Sequence, residues 1–302
     1  MSHTDPKSLA NLYQPLDEVA SGFSRTIHEL CSSRWFCFED FKQHEILLSE
    51  AYVLLWQNSE TGDIDGRKVG LPLKVGAYAA VFLDLIISRK IEVYYQHDEK
   101  ESRVRVIDDT ATGTFLDDAL FDDLRLKHHR VIRLSKWLEK AEESACVEII
   151  LSSLILRGIL KKEKIGFPGL RFFRRFPTTN PEPEKDLIAQ IRSLNVDEDG
   201  KVDSYIVSLL AICREADNVF LISDPILKKY FNSVEYPELK KKIDRIIIDL
   251  LRRGRPRSWY RPKSRNLTIG SSPAASPRFT PRISRRSSSM HEALSKTKSS
   301  DT

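Results

Sequence analysis

The residues best suited to bind something lie between Lys161 and Pro177, where KKEKIGFPGLRFFRRFP carries six Lys/Arg against one Glu. Its IGFPG centre reads as a turn between two short strands. Ile165, Phe167, Leu170, Phe172 and Phe173 stand around that turn, with Arg171, Arg174 and Arg175 beside them. Apolar side chains rimmed by guanidinium groups suit the headgroup zone of a bilayer, with rings among the acyl chains and arginines on phosphate. The competing reading is an ordinary strand whose aromatics, Phe176 included, pack inward. Two inserted rings would contribute about 3–6 kcal/mol, around millimolar affinity. A hairpin alone is therefore a weak anchor, and a headgroup pocket, a second basic segment or self-association must supply the remainder.

Other constellations lead away from catalysis. Asn195 to Gly200 copies the first half of a calcium loop, but the twelfth position is Ile206 where a bidentate Glu is needed. An acidic turn capping a helix from Asp203 is the better reading. His128 and His129 are adjacent and face different sides of a helix, with no third ligand at metal spacing. Asp108-Asp109 and Asp117-Asp118 sit in Asp/Thr/Gly-rich surroundings that favour a loop and a helix N-terminus. Neither a phosphate-cradling glycine loop nor G-x-S-x-G is present. No enzyme, metal or cofactor is expected.

Charge divides the chain. From Arg252 to Thr302 there are 13 Lys/Arg and 2 Asp/Glu, whereas residues 1–251 hold 35 and 41. A mildly acidic body thus carries a strongly basic tail, which also holds 12 Ser and 5 Pro. So few apolar residues cannot offset the entropy of ordering, so residues 252–302 are expected to be disordered and to favour anionic partners. Arg285-Arg286-Ser287-Ser288 has the form of a basophilic kinase site. Ser272-Pro273, Ser276-Pro277 and Thr280-Pro281 fit proline-directed kinases. Phosphates at Ser272, Ser276, Thr280, Ser287 or Ser288 would cancel charge and release the tail from an anionic surface.

Cys31, Cys37, Cys146 and Cys213 follow no pairing or metal spacing, which suits reduced thiols in a cytosolic protein. The polar start, MSHTDPKSLANLYQPLDEV, has no apolar stretch suited to secretion. The longest apolar run, Val75 to Ile87, is too short to span a bilayer and contains Asp84.

The fold expected is mainly α: one helical domain over 41–251 with short β-hairpins, a partly disordered arm over 1–40 and the basic tail over 252–302. An aromatic cluster (Trp35, Phe36, Phe38, Phe41) should clip the arm to the body. Helical periodicity puts Leu47, Leu48, Ala51, Leu54 and Leu55 on one face, and Ala79, Phe82, Leu83 and Ile86 on another from about Leu73 to Ser88. Ile91–Tyr95 and Arg103–Ile107 read as a hairpin, and Ile159–Lys164 with Leu170–Phe176 as a second. LIISRKIEV and LILRGILKK are one device used twice, a helix feeding a strand. Helices are expected over Asp117–Leu126, Val131–Glu142, Val147–Leu156, Asp186–Leu194, Asp203–Arg214 and Leu239–Leu251. Helix–hairpin repeats also fit a winged-helix nucleic-acid binder, but the body is net acidic and the first hairpin holds Asp98, Glu99 and Glu101.

In order, Ile46–Gly62 (ILLSEAYVLLWQNSETG), Gly76–Val93 (GAYAAVFLDLIISRKIEV), Asp108–Leu120 (DDTATGTFLDDAL), Ser153–Lys164 (SLILRGILKKEK) and the RFP and TTNP that follow resemble the Golgi phosphoprotein 3 family over roughly residues 41–251. The resemblance implies a helical domain with a protruding apolar hairpin, Lys161–Pro177. It implies a non-enzymatic peripheral protein on the cytosolic face of the Golgi, with a cytosolic pool. Such a protein would bind phosphatidylinositol 4-phosphate and engage the cytosolic tails of Golgi enzymes and the coatomer coat. The family's headgroup pocket uses a Trp and three Arg, and the corresponding places here fall near Val69, Tyr78, Ser144 and Val147. Either Arg67, Lys68, Lys74, Arg171, Arg174 and Arg175 rebuild the pocket, or this member has lost headgroup recognition and works as a protein-interaction module. The family's coat-binding arginines lie near the N-terminus, whereas those of this chain gather at its C-terminus.

Overall fold

A computed structural model describes residues 15–65, 70–96, 101–127, 131–165, 173–194, 202–219 and 225–253. The elements in order are α1 (Leu16–Ser32), α2 (Phe38–Phe41), α3 (Leu48–Trp56), α4 (Leu71–Ile87), β1 (Ile91–Gln96), β2 (Glu101–Val106) and α5 (Phe115–Leu126). There follow β3 (Ile132–Arg133), α6 (Leu134–Leu138), a 3₁₀ turn (Glu139–Glu142), α7 (Cys146–Leu156), β4 (Glu163–Ile165) and β5 (Phe173–Arg175). The last are α8 (Glu182–Ser193), α9 (Ser204–Val219), a 3₁₀ turn (Ile226–Tyr230) and α10 (Glu235–Arg253). The mainly helical expectation holds.

Helices α3 and α4 were expected to bury one face each. Instead Leu48 to Leu55 are all buried, and so is every residue from Pro72 to Ile86 except Lys74. A helix apolar all round has neighbours all round. Here α4 is packed by α1, α3, α7 and α9. At the α3–α4 crossing Gly76 admits the Tyr52 ring, whose hydroxyl donates to the Pro72 carbonyl at 2.9 Å.

Residues 1–40 were read as an arm, yet α1 buries Val19, Phe23, Ile27 and Leu30 against α4, α6 and α9. The packed body therefore begins well before residue 41. The aromatic cluster does clip α2 down, with Phe36 fully buried between Phe38 and Phe41. Residues 131–142, expected as one helix, split into β3, α6 and the 3₁₀ turn, because Ile132 and Arg133 pair with β2.

The twice-used device has one geometry. After α4, Lys90 N donates to Leu85 O and Arg89 N to Ile86 O; after α7, Ile159 N donates to Leu154 O and Gly158 N to Ile155 O. Both are Schellman ends with a left-handed residue, Arg89 at φ 59° and Gly158 at φ 73°. Each turns a buried helix into a strand. The first strand enters the antiparallel sheet β1-β2-β3, in register at Val93↔Val104. Arg105 pairs with Glu92 on this sheet, and Arg133 with Glu101 at 2.6 Å, so these arginines are matched by acids. A nucleic-acid docking face needs unmatched cations.

Several of the polar side chains weighed above serve local structure. Asp203 Oδ1 caps α9 by accepting from Tyr205 N and Ile206 N. Asp118 accepts from Thr112 N, and Asp108 from Lys90 Nζ at 2.7 Å, which holds the Asp108 carboxyl below the usual range. The four cysteines are free thiols, and burial pushes Cys146 and Cys213 up. His128, His129 and the Asn195–Gly200 loop lie outside the described residues.

Candidate membrane-binding site

The second hairpin is held from below by charge in the core. Glu50, fully buried in α3, accepts from Ser153 Oγ at 2.6 Å and from Arg157 Nε at 2.8 Å, both at the end of α7. Its other oxygen accepts from Leu47 N, closing the first turn of α3. Arg157 also donates to the Glu45 carbonyl at 3.1 Å. Beside this joint the Asp84 carboxylate of α4 accepts from Leu48 N and Ser49 N, both at 3.0 Å. Three helices are thus locked in register where α7 gives way to Gly158 and the hairpin.

The hairpin starts with the Leu160↔Thr178 bridge and Lys161 N donating to Pro177 O. In β4 and β5, Glu163 stands opposite Arg175, Lys164 opposite Arg174 and Ile165 opposite Phe173. Phe176 turns inward and is buried, so the inward-packing alternative is right for that ring. For Ile165 and Phe173 the pairing of the backbone is the finding. Phe167, Leu170, Arg171 and Phe172 lie outside the described residues, as do Arg67 and Lys68.

The base of the hairpin is clasped by Gln57 and the loop that follows α3. Phe176 N donates to Gly62 O at 2.6 Å, and Gln57 Nε2 donates to Phe176 O at 2.9 Å. Gly62 has φ 72°, and a Cβ there would meet the Pro177 backbone within 3 Å, so only glycine fits. Asp63 pairs with Arg175 at 3.3 Å and Asp65 with Lys229 at 2.9 Å. Lys229 Nζ also donates to Gln57 O, while the Tyr230 hydroxyl donates to Glu184 at 2.8 Å. Burial pushes Glu184 up. Nothing in KKYF marks Lys229 from its sequence; its partner is 164 residues away.

Lys74, near the start of α4, donates to the Glu142 carbonyl at 2.7 Å. Tyr78, one turn on, and Val147 are buried, and Ser144 Oγ accepts from Cys146 N at the start of α7. Of the six headgroup candidates the structure thus describes three. Arg174 and Arg175 share the hairpin base, and Lys74 is bound to the turn before α7. No helix among the described residues is long and apolar enough to cross a membrane, and no group of three His, Cys, Asp or Glu among them could hold a metal.

The sequence that builds this hairpin and the helices beneath it has a counterpart among known families. A model of the Golgi phosphoprotein 3 (GPP34) family matches residues 48–246, from the first residue of α3 into α10. The chain belongs to this family. It is a family of non-enzymatic Golgi adaptors, and the matched span includes both hairpins. Helices α1 and α2 precede the match, and the basic tail follows it. Comparison with curated proteins finds no match.

Proposed function

We propose that this Golgi phosphoprotein 3 family member is a peripheral adaptor of the cytoplasmic face of the Golgi. It would grip a bilayer containing phosphatidylinositol 4-phosphate with the Lys161–Pro177 hairpin and hold the cytosolic tails of Golgi enzymes there. The observation that carries this is the Lys164↔Arg174 pair, two cations directly opposite on adjacent strands. Cations gathered in this register at the foot of an apolar turn suit contact with an anionic surface. Ile165, Phe167, Leu170, Phe172 and Phe173 would enter the acyl zone, with Lys74, Arg171, Arg174 and Arg175 on phosphate and Arg67 and Lys68 beside them. The tail beyond Arg253 would add a second, phosphate-controlled anchor, with Ser272, Ser276, Thr280, Ser287 and Ser288 as the modified residues.

Flotation with vesicles, with and without phosphatidylinositol 4-phosphate, tests the reading. The wild type should float, and Phe167→Asp, Leu170→Asp and Phe172→Asp together should abolish flotation. Full binding by that triple variant would sink hairpin insertion. Deleting 254–302 should weaken flotation at low salt, and unchanged binding would dismiss the tail. A second reading is favoured by Tyr78, Ser144 and Val147, which spend themselves on core and capping where the family's pocket would stand. On that reading the chain is a protein-interaction module without headgroup selectivity, and any anionic lipid would float it equally.

A further inference from the structure

Two cations at the foot of the hairpin are already occupied, and by acids from the same short loop. Arg175 Nε stands 3.3 Å from Asp63 Oδ1, long for a charge-assisted bond. Lys229 Nζ stands 2.9 Å from Asp65 Oδ2. One strip of backbone joins the two pairs: Lys229 donates to Gln57 O, the Gln57 side chain to Phe176 O, and Phe176 N to Gly62 O. The loop bearing the acids is stiff. Asn58 Oδ1 accepts from Glu60 N and Thr61 N, Gly62 N donates to Asn58 O, and Gly62 is wedged against Pro177. The aspartates are therefore presented to the cations by a fixed frame. All four side chains stay between 29% and 52% exposed, a range in which ion pairs exchange readily for other partners.

We propose that Arg175 and Lys229 form a masked anion subsite at the hairpin base, closed by Asp63 and Asp65 until a lipid headgroup phosphate displaces the carboxylates. This rests on the membrane reading above and deepens it. Phosphate carries more charge than a carboxylate and accepts from guanidinium and ammonium alike, so it competes with each aspartate for its cation. The clasp then sets the threshold of binding: a neutral or weakly charged surface leaves the acids in place, and a phosphate-rich one opens them. The acids would also make binding steeper in headgroup charge than the hairpin's cations alone.

The test measures binding of the full chain to phosphatidylcholine vesicles with graded phosphatidylinositol 4-phosphate. Asp63→Asn should bind about fivefold more tightly, the effect of about one charge near an anionic surface. Asp65→Asn should shift binding the same way. The gain from Asp63→Asn should vanish in an Arg175→Gln background, because the aspartate then masks nothing. With melting temperatures unchanged, equal or weaker binding by Asp63→Asn overturns the proposal, and so does a gain that survives Arg175→Gln. Millimolar inorganic phosphate distinguishes the source: if it removes the Asp63→Asn gain with vesicle-free binding of equal strength, the subsite belongs to soluble phosphate and the lipid assignment falls. A wild type that ignores these vesicles brings down the membrane reading and this one together. A wild type that binds while Asp63→Asn gains nothing brings down this one alone.

Discussion

Glu50 and Arg157 meet at 2.8 Å across 107 positions of sequence, joining the first turn of α3 to the C-terminal end of α7, just before Gly158. The carboxylate is fully buried and the guanidinium about one-third exposed. Removing one partner of such a pair leaves a charge without compensation. Arg157→Ala should cost about 2–3 kcal/mol in urea unfolding, the lower figure reflecting the partly solvated arginine and the Ser153 bond that remains. Glu50→Gln should cost a comparable amount, since its amide nitrogen would face a donor where the carboxylate accepted, either Leu47 N or the Ser153–Arg157 pair. A loss below about 0.5 kcal/mol for Arg157→Ala would show that the joint does not hold α7.

Gly76 gives a sharper steric prediction. A methyl group there overlaps the Tyr52 hydroxyl, which is fixed by its bond to Pro72 O. Gly76→Ala ought to destabilise by about 1–3 kcal/mol through overpacking, despite the better helix propensity of alanine. A thermal melt at or above that of the wild type would contradict the close approach.

At Arg89 the opposite sign is expected. Its left-handed backbone suits glycine, as the equivalent Gly158 shows, and the side chain offers only an exposed stack 6.0 Å over Phe38. Arg89→Gly should raise stability by up to about 1 kcal/mol. Arg89→Val, β-branched at positive φ, should lower it.

Asp217 gives a pH dependence. Burial raises its carboxyl to about 6, even though it accepts from Ile226 N at 3.0 Å and Lys240 lies nearby; Asp244 adds to the rise. Its folded value is above the unfolded one, so the unionised form is favoured by folding. Stability should fall as pH rises from about 4 to 6 and stay lower above that, by up to about 3 kcal/mol for a shift of about two units. Asp217→Asn keeps the acceptor for Ile226 N and removes the titration. Its advantage over the wild type should be small at pH 4 and full at pH 7.5. Glu29, Glu184 and Glu215, also raised by burial, would leave a residual slope in both proteins. A difference that does not change with pH would count against burial of Asp217.

How much of this was legible depends on how far apart the partners lie. Both hairpins and the helix–strand device were readable because their pairings are local, none joining positions further apart than Leu160 and Thr178, and the turn residues announce them. Helix α1 was not read, though Val19, Phe23, Ile27 and Leu30 keep helical spacing; the Ser, Gly and Thr between them diluted the stripe. The split of residues 131–142 was invisible because pairing with β2 overrode local helix preference.

The sequence by itself determined a helical body, a basic aromatic hairpin and an acidic-to-basic division of charge, since composition and local periodicity suffice for these. Only the tertiary structure decided that α3 and α4 are central rather than surface helices, because an apolar run does not say how many neighbours it will have. It also decided the fate of the charges. Glu50, Asp84, Asp63 and Lys229 read as ordinary polar residues along the chain. Each becomes a cap, a joint or one side of an ion pair only when folding brings up a partner 35 to 164 positions away, and electrostatic energy depends on that distance in space.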